Sequence, residues 1–365
     1  MNDEAYMEWA LALAERGRGR VCPNPMVGAV LVRDGRIVGE GWHEGPGTAH
    51  AEVRALDAAE DSARGATLYT TLEPCDHDGR TPPCTDAIAS AGVGRVVAAI
   101  RDPNPMVDGR GLARLERAGI EIRTGPLESE VSRQLEAYVH HVRTGRPFVT
   151  VKMAASLDGK VAARDGTSRW ITGEEARADV HRLRAASDAI VVGAGTALAD
   201  DPALTVRDPS YRGAQPLRVL TDATGRVPAT GDLFDGSAPT LVATSEEAPG
   251  DRRQEWRAAG AETLVLETDG AGVRLDALLE HLGKREVQAV LVEGGPTLAW
   301  SAIRDGLVDK VVVYLAPILI GGRDAPGILE GEGFAPIADA PSLDVLDVGP
   351  IGRDLRVEAY VHRHR

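Results

Sequence analysis

The sequence predicts an α/β protein built from two domains. Its 365 residues suit about two domains at roughly 100–200 residues each. Strand-like runs alternate with amphipathic helical stretches, the pattern of layered α/β domains. A polar, turn-rich join, Thr144-Gly145-Arg146-Pro147, separates two such patterns. It places the boundary near residue 146, giving domains 1–146 and 147–365.

In the first domain, Tyr6, Trp9, Ala10, Leu13 and Ala14 recur at helical spacing, so residues 4–16 read as a helix ended by Gly17. Val27 to Arg33 and Arg36 to Trp42 flank Asp34-Gly35, a pair suited to a type I′ hairpin turn. A helix from about Ala49 to Ala59, a strand at Thr67–Thr71, a helix from about Thr85 to Ser90 and a buried strand at Val96–Ile100 follow. A helix carrying Val131, Leu135, Tyr138 and Val139 closes the domain. The second domain predicts strands at Phe148–Ala154, Ala189–Gly193, Leu217–Thr221, Thr240–Thr244, Thr263–Leu266, Val287–Glu293, Lys310–Leu315 and Leu355–Val361. Thr172-Gly-Glu-Glu175 reads as a capping box ahead of a helix with Ala176, Val180 and Leu183 on one face.

Composition narrows the function. The chain is 43% hydrophobic and 26% charged, which excludes disordered and fibrous classes. Its longest apolar run, Val311 to Ile320, is broken by Pro317 and is too short to span a membrane. Asp3 and Glu4 stand where a secretory signal carries basic residues, so a cytoplasmic protein with no membrane partner is expected. With 41 basic against 55 acidic residues, the net charge of −14 disfavours a nucleic-acid partner. Three cysteines, Cys22, Cys75 and Cys84, are an odd set that argues for metal or catalytic use over a disulfide framework. Cys22, outside any motif, reads as a small buried apolar residue.

The sharpest motif is His50-Ala-Glu52 followed by Pro74-Cys75 and Cys84. One imidazole and two thiolates form a three-ligand zinc set that leaves the fourth position to a water of lowered pKa. Hydrolytic deamination also needs a carboxylate to carry protons between that water, the ring and the departing ammonia, and Glu52 is the candidate. Residues i and i+2 converge only at a helix N-terminal end, so the metal is expected over the first turn. Both cysteines are expected at helix starts, where backbone N–H groups favour thiolate. Zinc nucleobase deaminases carry His-x-Glu…Pro-Cys-x-x-Cys; here eight residues separate the cysteines, building a longer loop beside the pocket. A closed structural zinc site with His77 as fourth ligand is the competing reading.

In the second domain, Gly193-Ala-Gly195 follows a strand but has Leu198 where a dinucleotide fingerprint has its third glycine. Val290-Leu-Val-Glu293-Gly-Gly-Pro-Thr297 carries more: a buried strand, two glycines permitting close approach, and a helix start suited to a pyrophosphate. An ordinary glycine-rich strand–turn–helix is the alternative.

Glu73-Pro-Cys-Asp-His-Asp-Gly-Arg-Thr-Pro-Pro-Cys84 and Cys22-Pro-Asn-Pro-Met-Val-Gly-Ala resemble the bifunctional riboflavin-biosynthesis deaminase–reductase family. The likeness continues through Val151-Lys152-Met-Ala154-Ala-Ser-Leu-Asp158-Gly-Lys160, Ser168-Arg-Trp170-Ile-Thr, and Gly195-Thr196 through Asp200 to Arg207. It implies a cytidine-deaminase-like three-layer α/β/α domain followed by a dihydrofolate-reductase-like α/β domain, with Zn²⁺ and NADPH as cofactors and a homo-oligomeric assembly. The implied chemistry is hydrolytic deamination of 2,5-diamino-6-ribosylamino-4(3H)-pyrimidinone 5′-phosphate, then reduction of the ribose of 5-amino-6-(5-phosphoribosylamino)uracil to its ribityl form.

By the same resemblance Asn24, His43, Arg80, Asp102 and Asn104 hold the deaminase substrate. Asn24 and Asn104 equally suit local turn bonding, and His43 and Asp102 plain surface polarity. Ala154, Trp170, Thr196, Asp200, Ala223 and Gly295-Pro296-Thr297-Leu298-Ala299-Trp300-Ser301 line the cofactor site, while Ser168, Arg184, Leu204, Arg207 and Glu293 bind the second substrate. Arg184 and Arg207 suit a ribose 5-phosphate, or else are solvated surface arginines. Lys152 and Asp200 are candidates to polarise or protonate the opened sugar, with positioning the other role for Lys152; Trp170 also fits a plain core. A zinc nucleobase deaminase whose C-terminal half binds without reducing is the alternative function.

Overall fold

The computed structural model describes residues 2–79, 81–270 and 272–362. The chain divides into two compact units, Met1–Gly145 and Arg146–Arg365. No helix among the described residues is long and apolar enough to cross a membrane.

The first unit is laid out as α1 (Asp3–Ala14), β1 (Gly28–Arg33), β2 (Arg36–Trp42), α2 (Ala51–Ala59), β3 (Thr67–Leu72), α3 (Cys84–Ala91), β4 (Arg95–Ile100), α4 (Arg110–Arg117), β5 (Glu121–Thr124), α5 (Glu128–Gln134) and α6 (Glu136–Thr144). Its sheet runs β2-β1-β3-β4-β5, antiparallel at β1/β2 and β1/β3 and parallel from β3 onward. Glycines show which face each helix covers. A Cβ on Gly28 would lie 1.9 Å from the Ala10 carbonyl oxygen of α1. On β2, Cβ atoms at Gly39 and Gly41 would lie 2.1 Å and 2.3 Å from the Ala55 and Ala51 carbonyl oxygens of α2. Gly41 pairs with Ala29, one residue from Gly28, and strand residues alternate in face. The two helices therefore press on opposite faces, giving three layers. Trp9 departs from its expected burial: it is 44% exposed and donates its indole N–H to Glu40 at 2.8 Å. The single closing helix expected around Val131–Val139 is two helices, broken at Leu135.

The second unit contains β6 (Phe148–Ser156), α7 (Glu174–Ala185), β7 (Ala189–Gly193), α8 (Ala194–Asp200), β8 (Leu217–Thr221), β9 (Thr240–Thr244), α9 (Gly250–Ala258), β10 (Glu262–Val265), α10 (Leu275–Lys284), β11 (Ala289–Val292), α11 (Pro296–Arg304), β12 (Lys310–Ala316), β13 (Leu343–Ile351) and β14 (Asp354–Val361). Nine strands form one sheet in the order β10-β9-β8-β7-β11-β6-β12-β14-β13. It is parallel as far as β12, with β14 and β13 added antiparallel. Alternate residues of the parallel strands feed separate cores: Val191, Val219, Leu241 and Val290 on one side, Ile190, Leu220, Val242 and Leu291 on the other. Burial on both faces is why these strands read as largely apolar runs, with the buried Arg218 of β8 the charged exception.

The expected capping box is absent. Gly173, not Thr172, is the N-cap of α7 and makes no side-chain cap bond. Its N–H instead donates to Asp354 Oδ2 at 2.6 Å, a long-range contact that replaces the local one.

Candidate active sites

The first site assembles at the N-terminal end of α2. His50 is the N-cap in extended conformation, and Glu52 sits in the first turn, so an i, i+2 pair meets at the helix mouth. His50 Nδ1 lies 3.1 Å from Cys84 Sγ and 3.5 Å from Cys75 Sγ, while Nε2 faces Thr81 Oγ1 at 3.3 Å. The three donor atoms lie within 4.8 Å of one another, and both cysteines are free thiols. A tetrahedral zinc ion with bonds of about 2.0–2.3 Å demands that spacing and that donor chemistry, so the residues fit zinc. His77 is not part of the cluster, which removes the closed four-ligand reading. Cys84 opens α3 as expected. Cys75 does not start a helix, but it receives the backbone N–H of Cys84 at 3.4 Å, so the α3 N-terminus still serves it. Cys22 is half-buried, short of the burial expected of it.

Electrostatics favour proton traffic here. A hydrogen bond from Cys84, reinforced by His50, holds the Cys75 thiol well below the ordinary thiol value. Burial pushes the Glu52 carboxyl up to about 7, so it exchanges a proton near neutrality. Its Oε2 lies 3.6 Å from Cys84 Sγ.

Asn24 and His43 meet beside this cluster. Nδ2 of Asn24 lies 2.9 Å from His43 Nε2, Nδ1 of His43 lies 3.4 Å from the Ala49 carbonyl, and the His43 ring stands edge-on to His50 at 5.3 Å. The network assigns the proton to Nδ1, leaving Nε2 to accept from Asn24. Burial holds the His43 pKa below the ordinary histidine value. Asp102 is buried, not a surface group. It accepts from Tyr138 Oη at 2.9 Å and from the Asn104 N–H at 2.9 Å; Asn104 Oδ1 in turn accepts from the Met106 N–H at 3.0 Å. These two thus shape the turn that follows β4. Arg80 lies outside the described residues.

Sequence reasoning missed Glu73. Buried at the end of β3, it accepts backbone N–H groups from Asp102 (3.3 Å), Gly109 (2.9 Å), Gly111 (3.1 Å) and Leu112 (3.2 Å). One carboxylate thereby ties the 102–112 segment to the Pro74-Cys75 corner. A buried glutamate directly before a metal-ligand motif was the available signal. Glu73→Ala leaves these N–H groups without their acceptor and is expected to cost about 3–5 kcal/mol, with Glu73→Gln milder; urea unfolding within 1 kcal/mol of wild type, on the order of a single ordinary hydrogen bond, would contradict this.

The second site is a cleft of about 900 Å³ at the carboxyl ends of β6, β7, β8 and β11, where open parallel sheets bind ligands. Lys152, Ala154, Ser168, Gly195, Thr196, Asp200, Ala223, Glu293, Gly295, Pro296, Thr297, Leu298, Ala299 and Ser301 line it. Arg226, which sequence reasoning did not name, lines it too. Gly295 caps α11 with Pro296 at its first turn. The glycines are there for contact: a Cβ on Gly294 would meet Leu298 Cδ2 at 2.4 Å, and one on Gly295 would meet Thr196 Oγ1 at 3.0 Å.

Five expected residues stand outside the cleft lining. Trp300 is core, packed against Phe334 at 5.0 Å. Trp170 is 66% exposed, with the Arg177 guanidinium 4.5 Å over its ring; it is neither core nor cleft lining. Leu204 is buried, and Arg207 is exposed beyond the lining. Arg184 is not a solvated arginine: it is nearly buried and grips Glu293 in a two-pronged pair at 2.6 Å and 3.0 Å. Burial opposes the Glu293 charge, but the Arg184 guanidinium outweighs it and holds the carboxyl below its ordinary value. Burial pushes the Lys152 ammonium pKa down, with Arg184 adding to it against Glu293 and Asp200.

A metal-binding deaminase-type site in one unit and a nucleotide-sized cleft on a parallel sheet in the other define a two-activity enzyme, a deaminase joined to a reductase. Residues 1–100 match the cytidine and deoxycytidylate deaminase zinc-binding region, and residues 147–357 match the RibD C-terminal domain. The riboflavin biosynthesis protein RibD of Bacillus amyloliquefaciens is 44% identical, covering 98% of this chain and 96% of its own. The Acinetobacter baumannii RibD structure superposes with a TM-score of 0.88 at 38% identity, covering 99% of both chains. A Thermotoga maritima diaminohydroxyphosphoribosylaminopyrimidine deaminase/5-amino-6-(5-phosphoribosylamino)uracil reductase gives 0.87 at 38%, again over 99% of both. This chain belongs to the RibD family of bifunctional riboflavin-biosynthesis enzymes.

Proposed function

We propose that residues 1–146 deaminate 2,5-diamino-6-ribosylamino-4(3H)-pyrimidinone 5′-phosphate and that residues 147–365 reduce the ribose of the resulting 5-amino-6-(5-phosphoribosylamino)uracil with NADPH. The observation that carries this is the junction of His50, Cys75 and Cys84 with a buried proton-exchanging Glu52 at one helix mouth. When bound there, zinc supplies Lewis-acid activation of water at neutral pH. Glu52 carries one proton from the water to the ring nitrogen and then the remaining hydroxyl proton to the departing ammonia. Asn24 and His43 form one wall of the pocket, and Asp102, Asn104 and Arg80 complete the substrate set. Arg80, in the loop between the cysteines, suits the substrate phosphate.

In the second unit the cleft residues from Ala154 to Ser301 hold the dinucleotide, which supplies the hydride when bound. Lys152, of lowered pKa and near Glu293 and Asp200, hands a proton to the sugar oxygen as the ring opens. Ser168 and Glu293 form the substrate side of the cleft, Arg184 holds Glu293, and the Leu204–Arg207 segment, outside the lining, is carried over from the family likeness. The net charge of −14 supports small phosphorylated substrates over polynucleotides, and self-association is carried over from the family likeness. A deaminase with a non-reducing C-terminal unit is disfavoured, because the match to RibD proteins runs through both units.

The test is a paired assay on zinc-replete protein with the diaminopyrimidine substrate and NADPH, following ammonia release and nicotinamide absorbance together. Both signals are expected. Ammonia without NADPH consumption, even from the pre-deaminated uracil, would overturn the C-terminal assignment.

A further inference from the structure

Residues 201–208 have no regular secondary structure, yet Leu204, Thr205 and Val206 are buried. Buried irregular backbone must find hydrogen-bond partners outside any helix or sheet ladder. Here side chains from other elements supply them. Arg184 Nη1 donates to the Thr205 carbonyl at 3.0 Å. Gln215 answers both polar groups of Val206: its Oε1 accepts the N–H at 2.7 Å and its Nε2 donates to the carbonyl at 3.1 Å. His181 Nδ1 accepts the Arg207 N–H at 3.2 Å. His181 and Arg184 stand three apart on α7, so one helix face grips the segment at Thr205 and at Arg207. A primary amide paired to both groups of one residue mimics a neighbouring strand and restrains the two peptides that flank Val206.

We propose that Gln215 and His181 are positioning residues for the second substrate, strapping the Thr205–Arg207 backbone so that the Arg207 guanidinium is presented to an anionic group, a phosphate ester on the sugar. Neither residue lines the cleft, and both act through Arg207. The inference rests on the reading that the Leu204–Arg207 segment faces that substrate. Ordering a charged side chain before the ligand arrives lowers the entropy lost on binding, so the strap acts on substrate affinity and not on the hydride step.

The experiment uses the full-length, zinc-replete protein, NADPH and the pre-deaminated uracil substrate. It compares wild type with Gln215→Ala, His181→Ala, His181→Asn and Arg207→Ala. Gln215→Ala and His181→Ala are each expected to raise KM for the phosphorylated substrate roughly ten-fold, about 1.4 kcal/mol in binding. The KM for NADPH and kcat stay within about two-fold of wild type, the scatter expected where neither contact is made. His181→Asn offers an amide oxygen near the position of Nδ1 and restores most of the loss. The strap is overturned if Arg207→Ala raises the substrate KM while both alanine variants leave it unchanged. It is also overturned if they lower kcat and NADPH affinity alike, or if His181→Asn is no better than His181→Ala. A wild type inactive on the uracil, or an Arg207→Ala variant with wild-type KM, overturns the underlying reading and this proposal with it, and the two failures are told apart by those controls.

Discussion

Replacing Glu52 by glutamine is expected to lower ammonia release by about 10²–10⁴-fold, the range for losing a positioned acid–base group. The side chain is 4% exposed at the first turn of α2, so an amide of the same shape keeps the packing. It removes only the group that carries a proton, one that burial has tuned to about 7. Zinc content, measured by metal analysis after dialysis, is expected to stay at one ion per chain. Reduction of the pre-deaminated uracil is expected to persist, because His50, Cys75, Cys84 and the whole second unit are untouched. Ammonia release within ten-fold of wild type would remove Glu52 from the proton path.

Arg184→Met is expected to be the most damaging single change in the second unit. The guanidinium and Glu293 share a buried two-pronged contact, and removing one partner strands a buried charge, a loss of about 3–5 kcal/mol. The arginine also holds the Thr205 carbonyl, so reductase activity fails with stability. Hydrogen exchange on peptides from β7 and β11 reads the effect within that unit. The double variant Arg184→Met/Glu293→Gln recovers part of the loss, because the stranded charge is gone. The sign with pH follows from Glu293, whose folded-state carboxyl lies below the ordinary 4.5. Its contribution is fully present above the unfolded value and is lost as pH falls through the folded one. The wild type therefore loses protection in that acid range, and Glu293→Gln flattens the dependence. An exchange profile for Arg184→Met that matches wild type would show that the pair does not stabilise the unit.

Elements whose cause is local were legible in the chain. Asp34-Gly35 sets the β1–β2 hairpin because both residues take positive φ there. The β7 and β9 runs announce themselves by their apolar residues, whereas β8 carries the buried Arg218 within its apolar run. Other elements owe their form to partners far away. β5 is four mostly exposed residues that pair with β4. β13 reads Leu-Asp-Val-Leu-Asp-Val-Gly-Pro-Ile, a poor strand by composition, and is held by its register against β14. Pro350 is tolerated because β13 is an edge strand.

The same division runs through the sites. His50, Glu52, Cys75 and Cys84 are identifiable from residue type and spacing, since zinc restricts donors to a short menu and a helix mouth is the one place an i, i+2 pair converges. The sequence by itself thus determined the two-part α/β plan, the candidate metal-ligand set and the glycine-rich strand–turn–helix of the cleft. Only the tertiary structure decided that Arg184 is spent on Glu293, that Trp300 is core and Trp170 lies outside the cleft, and that Glu73, His181 and Gln215 fasten the 102–112 and 205–207 segments. The physical reason is range. A motif records which groups a ligand needs, whereas a buried polar group is satisfied by whichever partner the fold brings within 3 Å, often a hundred residues away, as Arg184 and Glu293 are.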